Sequence, residues 1–144
     1  MYSIKVSGVK TVDNKSFRKP AELKGKRVTG KDGEVEMVDA SYLDMLGAFL
    51  HSLFPLVAAK GKDNKELKPL TIEDSSYAMD IFRAMHVADG VLELEKAPYE
   101  WLKLQLTTYG VDVFQVNAAI ILEPLKSAEE TTPNRAETRR LKKG

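Results

Sequence analysis

The chain contains no cysteine, which excludes a disulfide framework, a thiolate zinc site and a thiol nucleophile together. Histidine is nearly as scarce, with His51 and His86 the two. Neither has a second histidine three or four residues away, the spacing that sets two ligands on one helix face. Asp89 follows His86 by three residues but falls at an expected helix end, so both histidines read as hydrogen-bonded structural residues. The glycines form no phosphate loop, since Gly30-Lys31-Asp32-Gly33-Glu34 lacks the Gly-Lys-Ser/Thr ending that seats a phosphate on a helix start. No Gly-x-Ser-x-Gly elbow and no dinucleotide fingerprint is present. No catalytic residue, cofactor or metal is therefore expected. The carboxylates Asp74, Asp80, Glu93, Glu95 and Glu100 read as solvated helix faces.

Long apolar runs are also missing. The most apolar stretch, Leu46 to Ala59, is interrupted by His51, Ser52 and Pro55, which reads as a buried helix too short and broken to span a bilayer. The residues after Met1 have no apolar signal region, so a cytoplasmic location is expected and no membrane partner. No repeat or low-complexity tract occurs.

What is present is ordinary for one globular domain: 144 residues, 43% hydrophobic and 30% charged, enough to bury a single core. The net charge of +1 conceals a segregation. Residues 1–34 carry nine Lys/Arg against four Asp/Glu, residues 35–126 eight against fourteen, and residues 127–144 five against three. A basic arm, an acidic middle and a basic tail suit electrostatic recognition of a partner. The same segregation lets the basic arm lie on the acidic helices.

The first third reads as strands. Tyr2, Ile4 and Val6 alternate with polar residues, and Asp32-Gly33 can supply the positive backbone angles of a tight hairpin turn. Val35 and Met37 then share one face of the returning strand. From Asp39, read as a helix cap with Val38 and Leu43 as a staple, the pattern turns helical. Tyr42, Leu46, Phe49 and Leu53 follow helical spacing, and Leu43, Leu50 and Phe54 add a second apolar face. A break or kink is expected at Phe54-Pro55 and an exposed loop from Lys60 to Pro69. A second helix starts with a Thr71–Asp74 capping box, buries Ala78, Ile81, Phe82 and Met85, and ends by Gly90. Val91–Leu94 is extended. A third helix carries Pro98 in its first turn and Tyr99, Leu102, Leu106 and Tyr109 up to Gly110. A fourth starts with an Asp112–Gln115 capping box and a Val111–Val116 staple, and ends at Pro124.

The expected fold is α+β and mainly α. An N-terminal β element over residues 1–38 forms a single domain with a core of about four packed helices over 39–125, followed by a flexible basic tail over 126–144. Candidate partner-binding residues are Tyr42, Leu43, Leu50 and Phe54 on the first helix, with Tyr99 and Trp101 at the start of the third, since aromatic anchors are frequent at interfaces. Candidate nucleic-acid contacts are Lys24, Lys26, Arg27 and Lys31 in the arm, with Arg135, Arg139, Arg140, Lys142 and Lys143 in the tail.

In that tail, Ala136-Glu137-Thr138-Arg139-Arg140 followed by Lys142-Lys143 is similar to the arginine-rich motif of lambdoid phage antitermination N proteins, which folds as a helix on an RNA hairpin. The chain more broadly resembles small proteins of tailed bacteriophages and prophages. The features shared are a basic β element, a Gly33-Glu34-Val35-Glu36-Met37 strand before an apolar helix, Asp89-Gly90-Val91-Leu92-Glu93-Leu94, and an Asn134-Arg135-Ala136 tail. The resemblance implies a phage or prophage origin rather than an activity; the expected protein is small, non-enzymatic, located in the bacterial host cytoplasm and acts by binding a macromolecule. A host protein machine such as the transcription apparatus is the first partner class. A nucleic-acid-binding accessory protein is the second reading, and a virion-assembly or chaperone component that self-associates is the third.

Overall fold

The computed structural model describes residues 1–11, 13–20, 22–23, 26–27, 29–30, 33–34 and 36–130. The expectations for Asp32, Val35 and the tail beyond Glu130 lie outside them. The alternating N-terminal residues form strand β1 (Tyr2–Lys5), with Ile4 fully buried. Strands β2 (Phe17–Pro20), β3 (Glu22–Leu23), β4 (Lys26–Arg27) and β5 (Met37–Ala40) follow. β2 pairs antiparallel with β5, Phe17 opposite Ala40, and the short β3–β4 hairpin lies between them in sequence. Gly33 has the positive φ its turn requires, at 78°, and its amide donates to the Gly30 carbonyl at 3.1 Å. Met37 does not join the core. It is 42% exposed, because β5 has β2 as its principal neighbour.

Asp39 is not the helix cap. It lies in β5, 3.7 Å from Arg18 across the strand pair. That pairing holds residues 37–40 extended, so the helix begins at the next capping side chain, Ser41. The Ser41 hydroxyl accepts from the Asp44 amide at 3.1 Å, and the Asp44 carboxylate accepts from the Ser41 amide at 2.9 Å, a closed capping box. Burial alone would raise the Asp44 carboxyl. The Ser41 amide and the Lys19 ammonium 3.1 Å away outweigh it and hold the group below the usual carboxylate range.

Helix α1 (Tyr42–Asp63) is continuous through Pro55 rather than broken there, and it takes in the first four residues of the expected Lys60–Pro69 loop, of which residues 64–69 are non-helical. Proline removes one amide bond, that to the His51 carbonyl. His51 and Pro55 both lie on the exposed side of the helix. Seven residues from Tyr42 to Val57 are buried on one stripe. At 22 residues, with an 18-residue stretch of mean hydropathy 1.4, α1 is long and apolar enough to cross a membrane by length and composition. The same test is met by the core helix of a globular protein.

Helix α2 (Ile72–His86) starts at the expected Thr71–Asp74 capping box but ends before Gly90, with the Val87 amide bonding back to Ala84 and Met85. Strand β6 (Val91–Leu94) pairs antiparallel with β1, Tyr2 opposite Leu94. Helix α3 (Lys96–Phe114) continues past Gly110 and Asp112. The expected Asp112–Gln115 box and Val111–Val116 staple are therefore absent: Asp112 is helical and lies 3.5 Å from Lys60, and both valines are exposed. The chain instead reverses at Gln115, whose φ of +53° is a conformation glycine adopts more readily. After one 3-10 turn it returns as α4 (Ala118–Lys126), which contains Pro124 rather than stopping there. Three long helices thus carry the core instead of four, and α4 is the nine-residue return arm of α3. Gly110 and Ala118, both small, meet where the two arms pack. Strand β7 (Glu129–Glu130) closes on β1, giving the antiparallel order β6-β1-β7.

Two tyrosines fasten the return arm. The Tyr42 hydroxyl donates to the Ile121 carbonyl, and the Tyr99 hydroxyl to the Leu125 carbonyl. The Leu125 carbonyl also accepts from the Ala128 amide at 3.3 Å, so the second bond reinforces the closure of the helix end. Burial pushes the Tyr42 hydroxyl well above its ordinary value, so it stays a donor at every ordinary pH. Replacing Tyr42 by Phe deletes this bond while keeping the ring. The expected outcome is a loss of about 1 kcal/mol of unfolding free energy, read from a denaturant midpoint shift at unchanged slope.

Candidate docking face and adjoining groove

Helix α3 packs on α1, α2 and α4, so most of its circumference is core: Tyr99, Trp101, Leu102, Gln105, Leu106 and Tyr109 are buried. The remaining face looks outward and is unusually apolar. Leu104 and Val111, seven residues apart and hence on one helical stripe, are 60% and 66% exposed, and Val116 just beyond is 72% exposed. Between them lie Thr107 and Thr108. Their hydroxyls donate back to the carbonyls of Lys103 at 2.8 Å and Leu104 at 2.9 Å, the i−4 bond open to helical threonine. With those donors satisfied internally, the methyl groups extend the apolar stripe.

Grooves border this face on both sides. One, of about 400 Å³, is lined by Lys60, Asn64, Leu67, Thr108 and Asp112. The other, of about 530 Å³, is lined by Tyr2, Tyr99, Glu100, Lys103, Leu104 and Lys126 among others. In it the Tyr2 and Tyr99 rings stack at a centroid distance of 3.8 Å and 5° between planes, with the Lys103 ammonium 5.9 Å from the Tyr99 centroid. Burial first, then Tyr2 and Glu100, raise the Tyr99 hydroxyl above its ordinary value.

Of the residues expected to bind a partner, Tyr99 lines the second groove and the others sit elsewhere. Tyr42, Leu50, Tyr99 and Trp101 are at most 7% exposed, and Leu43 and Phe54 are half-buried against the same core. The aromatic residues are inside because each has a polar tip with an internal partner: a carbonyl for each tyrosine, and Asp74 for Trp101. Of the expected nucleic-acid contacts, Lys26 and Arg27 lie on β4, paired opposite Leu23 and Glu22. Lys24, Lys31, Arg135, Arg139, Arg140, Lys142 and Lys143 are outside the described residues. In the arm, Lys19 reaches Asp44 on α1. His51 and His86 are exposed rather than structural, His51 tilted over Phe82 at 5.0 Å. Among the described residues no three His, Asp or Glu side chains converge on a point.

The sequence-based candidates leave out Leu104, Thr107 and Val111, which form this outward face. A second seven-residue spacing, Leu104–Val111, was available on the side opposite Leu102–Leu106–Tyr109. It was hidden by reading Val111 as the staple of another helix.

Asp74 does more than a solvated carboxylate. One oxygen accepts from the Trp101 indole at 2.8 Å, the other from the Thr71 amide at 2.7 Å, which ties α2 to α3. Burial alone would raise it, but these bonds outweigh that and hold it below the usual range.

By architecture the chain is an α+β protein with helix in the majority. No family model, no curated protein and no solved structure matches it.

A carboxyl depressed in the folded state binds fewer protons there than when unfolded. Its contribution to stability is therefore whole above about pH 4, where an ordinary aspartate titrates, and is lost as pH falls through its folded value. Trp101 is the chain's single tryptophan, so its fluorescence reports this directly. The expected titration shows an inflection below about pH 4 that disappears in Asp74→Asn.

Proposed function

We propose that this is a small non-enzymatic protein of phage type that works in the host cytoplasm by binding a protein partner through the outward face of α3. A host protein machine such as the transcription apparatus is the target class. One observation carries the reading: Leu104 and Val111, on one helical stripe of α3, stand 60% and 66% exposed, and the Thr107 and Thr108 hydroxyls between them donate to backbone carbonyls. Contiguous apolar surface of this kind marks interaction sites more than isolated exposed residues do. The stripe matches the seven-residue spacing with which helices pack, so the partner element it suits is an amphipathic helix. Charged residues at its margins, Lys60 and Asp112 on one side and Glu100 and Lys103 on the other, form the polar rim around an apolar centre that such interfaces have.

The test is capture from a nuclease-treated bacterial lysate with the intact chain, with Val111→Glu/Val116→Glu, and with residues 131–144 deleted. Both valines are exposed, so the double substitution should leave the fold intact. It is expected to lower recovery of the captured protein by about tenfold or more, while the deletion retains it. Recovery that survives the valine substitutions but is lost with the tail would overturn the reading.

A further inference from the structure

The groove beside Tyr2 has a composition that the apolar stripe does not need. Tyr99 is pinned at its hydroxyl by the Leu125 carbonyl and is 5% exposed, while Tyr2, lying flat on it, is half-buried. Tyr2 is thus the outer ring of a fixed two-ring platform. Lys103 and Lys126 stand on the same groove, and Glu100 is the one acid among the described residues that line it. A volume of about 530 Å³ falls in the range of small-ligand sites. Strand β7 also brings the chain past this platform, with Glu130 opposite Tyr2. The fourteen residues that follow carry five Lys/Arg against one acid, Glu137.

We infer that this groove takes a nucleobase together with its phosphate, as one unit of a single nucleic-acid strand. The base stacks on Tyr2, a contact tolerant of sequence because every base presents a flat face. Lys103 and Lys126 neutralise phosphate, and Glu100 accepts from a base amino group or a sugar hydroxyl. Neither the arm lysines nor the tail alone supplies a stacking surface, whereas Tyr2 on Tyr99 does.

Fluorescence anisotropy of labelled oligouridine and oligothymidine with the intact chain tests this at low salt. Tyr2→Ala is expected to weaken binding about tenfold, the scale of one lost stacking contact, and Tyr2→Phe to retain it. Lys103→Glu/Lys126→Glu, at the groove's edge, is expected to weaken binding and to lower the salt slope by about one per lysine, which separates lost contact from lost folding. Uridine monophosphate as competitor distinguishes the two sources of the same chemistry. If it displaces the strand, one nucleotide suffices; if it does not, the strand is required, and either result supports the groove when the Tyr2 and lysine variants behave as stated. Absence of binding would overturn the inference, as would binding indifferent to Tyr2→Ala and the lysine pair but abolished by deleting residues 131–144. Val111→Glu/Val116→Glu should leave oligonucleotide affinity unchanged, so this inference and the proposed protein interface fail separately.

Discussion

Two hydroxyl groups hold the last helix of the fold in place, and much else follows from them. The nine residues of α4 are too few to be stable as an isolated helix. They form because they lie back along α3, with Ile121 and Leu125 fully buried. Tyr42, from the first turn of α1, and Tyr99, from the first turn of α3, donate to carbonyls one turn apart on that arm. The first bond joins the beginning of the helical region to its end, across 79 residues of sequence. With α4 fixed, β7 is delivered to the edge of β1, and Tyr2 is held flat on Tyr99. The central sheet and the groove therefore share one fastening.

The same fastening explains which surface is left over. Because α4 covers one side of α3, and α1 and α2 cover others, the outward strip from Leu104 to Val111 is left exposed between the two grooves. Its apolar character lacks an internal structural reason, since the core is complete without it. The proposed partner surface would supply that reason. The charge segregation fits less simply than composition suggests: Lys19 is spent on the α1 cap and Arg18 on its own strand pair, so part of the arm's charge is used internally.

Much of the fold was legible in the residues. The β1 alternation, the turn glycine Gly33, the Thr71–Asp74 box, the β6 strand and the buried stripes of α1 and α3 all follow from local periodicity and capping chemistry. The failures share a cause in long-range packing. Asp39 is a good cap in isolation, but pairing with β2 keeps it in a strand. Pro55 is a helix breaker in isolation, but buried residues on both sides carry the helix across it. The reversal after α3 carries no glycine signal, because Gln115 takes the positive φ itself. The site was barely legible. Large aromatics were read as partner anchors, when the hydrogen bonds at their tips take them inside, and those bonds depend on residues 26 to 79 positions away.

The central claim is that these two tyrosine hydroxyls secure α4 and, through it, the sheet edge and groove. Residue-resolved hydrogen exchange on Tyr42→Phe/Tyr99→Phe tests it most directly. The account predicts that amides of α4 lose protection by about thirtyfold, the equivalent of two bonds of about 1 kcal/mol each, while those in the middle of α1 change far less. Unchanged protection in α4, or a loss spread evenly over every helix, would contradict it.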